Sequence, residues 1–259
     1  MRGARCPIRR GCPAGHHGRV LRIEGLTKRY GAHVAVDALD LRAERGEVVA
    51  LLGPNGAGKT TALRCLVGIM QPTAGRIDVA GHDMRAAPTR AKRAIGFIPD
   101  RAWFYPKSTG RELLRFVARA RGLPSADDAI RALLERFGLE GAADARTETY
   151  SHGMRQRLAF CVALLGDPPL LVVDEPMVGL DARGHRDVKD LFAQIAAEGR
   201  TVLLSTHTLP VAEEIAHRIV LIDRGRKVAE GDLATLRAQT RMASASLEQL
   251  FLSLTGGDA

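Results

Sequence analysis

Glu47-Val48-Val49-Ala50-Leu51-Leu52-Gly53-Pro54-Asn55-Gly56-Ala57-Gly58-Lys59-Thr60 is the stretch on which the fold turns. Its second half spells G-x-x-x-x-G-K-[ST], the pattern of a loop that wraps nucleotide phosphates. Its first half is apolar and partly β-branched, as a buried strand is. Beyond it, Leu63, Leu66, Val67 and Met70 recur at helical spacing from Thr60 onward. Strand, glycine loop and helix in that order is the setting a phosphate site needs. The glycines let the backbone come close enough for its N–H groups to bond phosphate oxygens, and the helix N-terminus adds positive potential. Lys59 is then placed to reach the β- and γ-phosphates, and the Thr60 hydroxyl to ligate Mg²⁺. Gly53, Pro54, Asn55, Gly56, Ala57, Gly58, Lys59, Thr60 and Thr61 are the candidate phosphate-binding residues.

A second apolar run, Leu170-Leu171-Val172-Val173, ends in Asp174-Glu175-Pro176. In nucleotide-binding α/β folds ligands sit at the carboxyl ends of the strands, so both acids arrive beside the phosphate loop. Asp174 is the candidate second Mg²⁺ ligand, and Glu175 the candidate that polarises an attacking water. The substrate expected is a nucleoside triphosphate with Mg²⁺.

The chain has 259 residues, 46% hydrophobic, enough to bury a large core as one α/β domain with lobes or as two smaller units. No apolar window is long enough to span a bilayer, and the Arg-rich start lacks the apolar segment of a signal peptide. The default address is cytoplasmic. Net charge is +9, but Arg2, Arg5, Arg9, Arg10, Arg19 and Arg22 all precede the first acidic residue, Glu24. The remaining body is only mildly basic, so no specific nucleic acid is expected as a partner. Cys6, Cys12, His16 and His17 share that leader in a spacing that matches no structural zinc site, and Cys65 and Cys161 fall in apolar runs as small core residues.

Alternating residues from Val20 to Leu26 and His33 to Leu41 predict two antiparallel strands. A parallel core follows, with strands near Val48–Leu52, Leu170–Val173, Val202–Ser205 and Ile219–Ile222. Between the first two of these lies an insertion rich in helix formers. Leu114, Val117, Ala118 and Arg121 recur at helical spacing, as do Ile130, Leu133, Leu134 and Phe137. Asp232–Ala238 and Ser246–Leu254 read as two closing helices.

Tyr150-Ser151-His152-Gly153-Met154-Arg155-Gln156-Arg157 lies about one helix ahead of the Asp-Glu strand, Gly179-Leu180-Asp181 follows it, and Ser205-Thr206-His207 ends a later strand. In this order the set resembles the signature, D-loop and switch motifs of the ABC ATPases, and the likeness runs from about Val20 to Gly231. It implies an α/β fold: a P-loop NTPase (RecA-like) core with an N-terminal antiparallel β subdomain and an inserted α-helical signature lobe. By this reading residues 1–18 are a disordered basic leader. Residues 19–240 form the ATPase domain, with the lobe at about 100–165, and residues 241–259 a C-terminal helical tail.

The resemblance also assigns roles. Tyr30 matches the aromatic that stacks on adenine, and His207 the residue that hydrogen-bonds the γ-phosphate. Ser151 can cap its helix, and with the N–H groups near Gly153 it makes an anion site. In the family that site faces the nucleotide of the opposite subunit, with Asp181 relaying across the same interface. A homodimer or heterodimer is therefore implied. Three positions depart from the pattern. His152 and Met154 replace a Gly and a Gln of the commonest signature, and Asp100 stands where a glutamine usually does. An ionised Asp only accepts hydrogen bonds and is one methylene shorter, so Asp100 is expected to tune coupling rather than block turnover.

Trp103-Phe104-Tyr105 borders, in the family, the groove that receives a coupling helix of a separately encoded membrane permease. One of the three is expected to pack inward, and Trp103 or Phe104 to meet the partner. The signature, Tyr105-Pro106 and the closing Leu247-Glu248…Phe251-Leu252 run resemble bacterial exporters of drugs, antibiotics or polysaccharides. The expectation is an ATP-hydrolysing subunit, peripheral on the inner face of the cell membrane, that drives export. Two classes compete with it: a soluble ABC ATPase acting on nucleic acid or ribosomes, and a regulatory module without turnover.

Overall fold

Val48 to Leu52, Leu170 to Asp174 and Thr201 to Thr206 have every residue buried, which a strand achieves only when both faces of its sheet are covered. The computed structural model describes residues 18–176, 182–240, 242 and 244–254. The leader with Cys6, Cys12, His16 and His17, and the stretch with Asp181, lie outside the described residues. In chain order the elements are β1 (Arg19–Tyr30), β2 (His33–Glu44), β3 (Val48–Leu52), α1 (Lys59–Leu66), β4 (Ala74–Val79), β5 (His82–Asp83), α2 (Pro88–Arg93) and β6 (Ile95–Ile98). Then come α3 (Gly110–Ala120), α4 (Asp127–Arg136), α5 (His152–Leu164), β7 (Leu170–Asp174), α6 (Ala182–Ala197) and β8 (Thr201–Thr206). The chain closes with α7 (Leu209–Ile215), β9 (Arg218–Asp223), β10 (Arg226–Gly231), α8 (Leu233–Thr240) and α9 (Leu247–Leu254).

One sheet has the order β10-β9-β3-β8-β7-β6 and is parallel except for β10 at its edge. The other, β2-β1-β4-β5, is antiparallel. The parallel sheet is the wall between two apolar layers. Val48, Ala50 and Leu52 of β3 join Phe160, Phe192, Ile195 and Leu250 on one face. Val49 and Leu51 face α1 and the antiparallel sheet, packing with Leu21, Leu26, Leu63 and Leu66. Side chains that alternate between faces are what let one strand serve both layers.

A third cluster builds the helical lobe from Leu114, Ile130, Leu134, Tyr150, Leu158 and Cys161 of α3, α4 and α5 and the segments between them. Thr109 and Glu112 close a reciprocal cap at the start of α3, satisfying two N–H groups the helix cannot. Helix α5 belongs to both bodies, with Ala159, Phe160 and Ala163 in the core layer and Leu158 and Cys161 in the lobe. The Phe160 ring stacks on Phe137 at 5.7 Å and tilts against Phe192 at 6.2 Å. Arg121, at the end of α3, donates to Leu165 O at 2.8 Å and Ile95 O at 3.2 Å, fastening the lobe to β6.

Several expectations need correcting. The two expected strands are β1 and β2, paired antiparallel, and β4 and β5 extend their sheet to four. The insertion between β3 and β7 is not only helical, since it first sends β4 and β5 back to that sheet and β6 to the parallel one. In β4 only Ile77 and Val79 are buried, too short an alternation to stand out. Helix α1 stops at Leu66, with Gly68 in the left-handed region at φ 70° just beyond, so Met70 lies off the helix.

Phe192 is fully buried where lobe and core share their packing. Phe192→Ala is expected to lower unfolding free energy by about 3–5 kcal/mol, read as a fall in the urea midpoint with an unchanged slope.

Candidate functional site

The phosphate loop leaves β3 and enters α1 with its shape dictated by neighbours. A Cβ on Gly53 would stand 2.3 Å from Ile222 O, and one on Gly58, at φ 102°, 2.3 Å from Ala35 O. No side chain other than hydrogen fits at either position. From outside, the β9–β10 turn donates Gly225 N–H to Ala57 O at 3.0 Å. Pro54, Asn55 and Gly56 are exposed, Ala57 is buried, and Thr60 and Thr61 are half-buried on the first turn of α1. No side chain caps that turn.

Lys59 is 6% exposed, and its Nζ donates to Gly53 O at 2.7 Å and Pro54 O at 3.2 Å. The same ammonium lies 3.8 Å from Glu175 Oε1. Burial pulls its pKa down, opposed by the Glu175 and Asp174 carboxylates.

Asp174 and Glu175 come off the end of β7, beside the end of β8. Asp174 pairs in register with Ser205, whose hydroxyl donates to Asp174 Oδ1 at 2.5 Å. Thr60 Oγ1 donates to the same oxygen at 3.3 Å. Burial pushes the Asp174 carboxyl up, the hydrogen bonds from Ser205 and Thr60 pull it back, and the Asp100 and Glu175 charges add to the upward push. Glu175 sits at φ 51°, a left-handed conformation that non-glycine residues rarely adopt. Its N–H donates to Ser205 O at 3.1 Å and Ser205 Oγ at 3.3 Å. Its side chain reaches His207 Nδ1 at 2.9 Å and accepts from His207 N–H at 3.4 Å. The structure therefore brings Lys59, Thr60, Asp174, Glu175 and His207 together at the carboxyl edge of the parallel sheet.

Asp100 follows β6, exposed, and accepts from Arg101 N–H at 2.8 Å. Tyr30 ends β1 and is 45% exposed; its hydroxyl donates to Met70 Sδ at 3.3 Å, and Lys28 Nζ lies 5.3 Å from the ring centre. Ser151 caps α5, accepting Met154 N–H at 3.2 Å. Ser151, His152 and Gly153 are exposed. Among the described residues no hydrogen bond or ion pair joins Ser151 or Gly153 to the phosphate loop of the same chain. Trp103 and Tyr105 are exposed, Trp103 at 78%, while Phe104 packs between the core layer and the lobe. Exposed Phe116 on α3 has no counterpart in the sequence reading. Ser205 was also missed as a site residue. Its hydroxyl touches both acids only because β8 lies beside β7 in this register, which no local pattern announces.

The family model described as "ABC transporter" matches residues 36–178. The chain is 41% identical over 220 residues to the daunorubicin resistance ATP-binding protein DrrA3 of Streptomyces coeruleorubidus, covering 84% of this chain and 70% of that one. It is 41% identical over 214 residues to the Nod factor export ATP-binding protein I of Ralstonia nicotianae, covering 82% and 67%. Among solved structures, an ATP-binding subunit of an ABC transporter superposes with TM-score 0.85 at 34% identity over 91% of this chain and 99% of that one. A nucleotide-free ATP-binding cassette at 22% identity, TM-score 0.72, covering 83% and 91%, shares the fold.

A carboxyl whose pKa is raised by folding supports the fold below its unfolded value and costs stability once the pH passes the folded value. Asp174→Asn removes that charge while keeping an acceptor for Ser205. In the absence of nucleotide it is expected to melt at a higher Tm than wild type at pH 7. The gap should close as pH falls below about 4, the ordinary aspartate range. Equal melting at pH 7 would contradict the burial argument.

Proposed function

This chain belongs to the ABC transporter family of ATP-binding subunits, and from that premise we propose how its residues divide the work of ATP binding and hydrolysis. The observation that carries the reading is the Glu175 carboxylate, held between His207 and Lys59 one residue beyond Asp174. A carboxylate so placed is a general base for water beside the phosphate loop, and loss of such a base costs on the order of 10²–10⁴ in rate.

Lys59 gives up its bonds to Gly53 O and Pro54 O to hold the β- and γ-phosphates, with the N–H groups of residues 55–61 around them. Tyr30 offers its open ring to adenine, and His207 donates to the γ-phosphate. The Thr60 hydroxyl and Asp174 carboxylate, 3.3 Å apart, form an all-oxygen donor pair suited to a hard dication. They would hold Mg²⁺, which neutralises phosphate charge when bound with ATP. Ser151 and Gly153 close on the nucleotide of a second subunit, with Asp181 at the same interface, so that two chains sandwich two ATP molecules. Differential affinity of ATP for the closed pair is what drives the cycle.

No described helix is long and apolar enough to cross a membrane. The subunit acts through a separate permease, docked near Trp103 and Tyr105 at the inner face of the membrane, where large aromatic surface gives contact area at low entropic cost. The names of the relatives, drug resistance and Nod factor export, favour export as the direction of transport over the nucleic-acid or ribosome alternative.

Glu175→Gln is expected to lower ATPase at least about 10²-fold and to accumulate as a dimer with MgATP in size-exclusion chromatography with light scattering. A monomer at saturating MgATP would refute the sandwich. Asp100→Gln restores a donor at the edge of the site. It should change basal or permease-stimulated ATPase, and no change in either would remove Asp100 from the mechanism.

A further inference from the structure

The signature helix has a second attachment to the acids. Gln156, half-buried on α5, donates from Nε2 to Pro176 O at 2.9 Å. Pro176 is buried and follows Glu175 directly. Proline has no N–H to offer, so this carbonyl is the only backbone hydrogen-bonding group of Pro176. On the other side of Glu175, the N–H is shared by Ser205 O and Ser205 Oγ. Glu175 itself is at φ 51°. A residue persists in that region when its surroundings over-determine it. Here the surroundings are β8 before the residue and α5 after it, and together they set the direction in which its carboxylate leaves the strand toward Lys59 and His207.

We propose that Gln156 is a positioning residue for Glu175: its amide holds the peptide after the base, so that the strained conformation aims the carboxylate at the water site. The proposal rests on the role of Glu175 given above. It adds that α5, which presents Ser151 at its exposed end, also fixes the geometry of the base on its own chain. Only a hydrogen-bond donor at position 156 can serve, because the partner is a carbonyl oxygen.

The test uses the full-length protein in steady-state ATPase assays with Gln156→Leu, Gln156→Glu and Gln156→Lys. Leu keeps the approximate volume without a donor, Glu keeps the shape with acceptors only, and Lys keeps a donor of similar reach. Misaiming a catalytic group by about 1 Å can cost on the order of 10²-fold. Expected is a fall in kcat of about tenfold or more for Leu and Glu, KM for ATP within about twofold of wild type, and recovery of most of kcat by Lys. In the Glu175→Gln background, adding Gln156→Leu should leave MgATP-induced pairing at the same ATP concentration, since the phosphate loop and Ser151 are untouched. Wild-type kcat in Gln156→Leu overturns the proposal. So does Lys as impaired as Leu, or a joint loss of kcat, ATP affinity and Tm, which would mark a role in general packing. Failure of Glu175→Gln alone to pair would count against the sandwich, and the turnover series would still decide the role of Gln156.

Discussion

A lysine ammonium almost removed from water, facing carboxylates at the end of a buried strand, is the constraint around which the rest of the chain is arranged. Taking a charge out of water is costly unless partners are fixed in place. Lys59 therefore binds two carbonyls of its own loop and leans on Glu175, while Asp174 takes bonds from Ser205 and Thr60. Each partner comes from a different element: the loop after β3, the end of β7, the end of β8 and the first turn of α1. Their meeting depends on parallel strands ending level with one another, and that level is set by the apolar packing on both faces of the sheet.

The antiparallel sheet and the helical lobe are tied to the same edge by different means. The sheet reaches the phosphate loop through Ala35 O, which leaves no room for a Cβ on Gly58, and through Asp37, whose N–H donates to Gly225 O at 2.8 Å. The loop cannot change its path without moving β2 or the β9–β10 turn. The lobe is tied by aromatic stacking, by Arg121 on two carbonyls and by Gln156 on Pro176. Those polar ties are specific. They let the lobe carry Ser151 on an exposed helix start while remaining in mechanical contact with the acids.

How much of this was readable beforehand depended on whether the signal was local. The phosphate loop, the Asp-Glu strand end and the capping Ser151 are encoded in consecutive residues, and the fully buried strands read plainly as apolar runs. Cys65 and Cys161, read as core residues, are fully buried. Strand β4, with two buried residues, and β10, with one, gave too little alternation to be seen. The roles of Ser205 and Gln156 were invisible for another reason. A serine at a strand end and a glutamine on a helix are ordinary until register sets one beside Asp174 and packing sets the other against Pro176.

Asp100 shows why such neighbours matter in a site of opposed charges. A glutamine there would add no charge; the carboxylate adds to the upward push on Asp174. In the free chain one buried ammonium thus stands against the charges of Asp174 and Glu175, with Asp100 acting on Asp174, and the balance is incomplete. A dication arriving with ATP would meet the carboxylate side of the site while the phosphates meet Lys59 and the loop N–H groups. Binding that relieves an electrostatic cost present only in the folded, unliganded state draws part of its favourable free energy from that relief. The same acid that departs from the family pattern therefore adds to the cost of charging Asp174 in the folded chain.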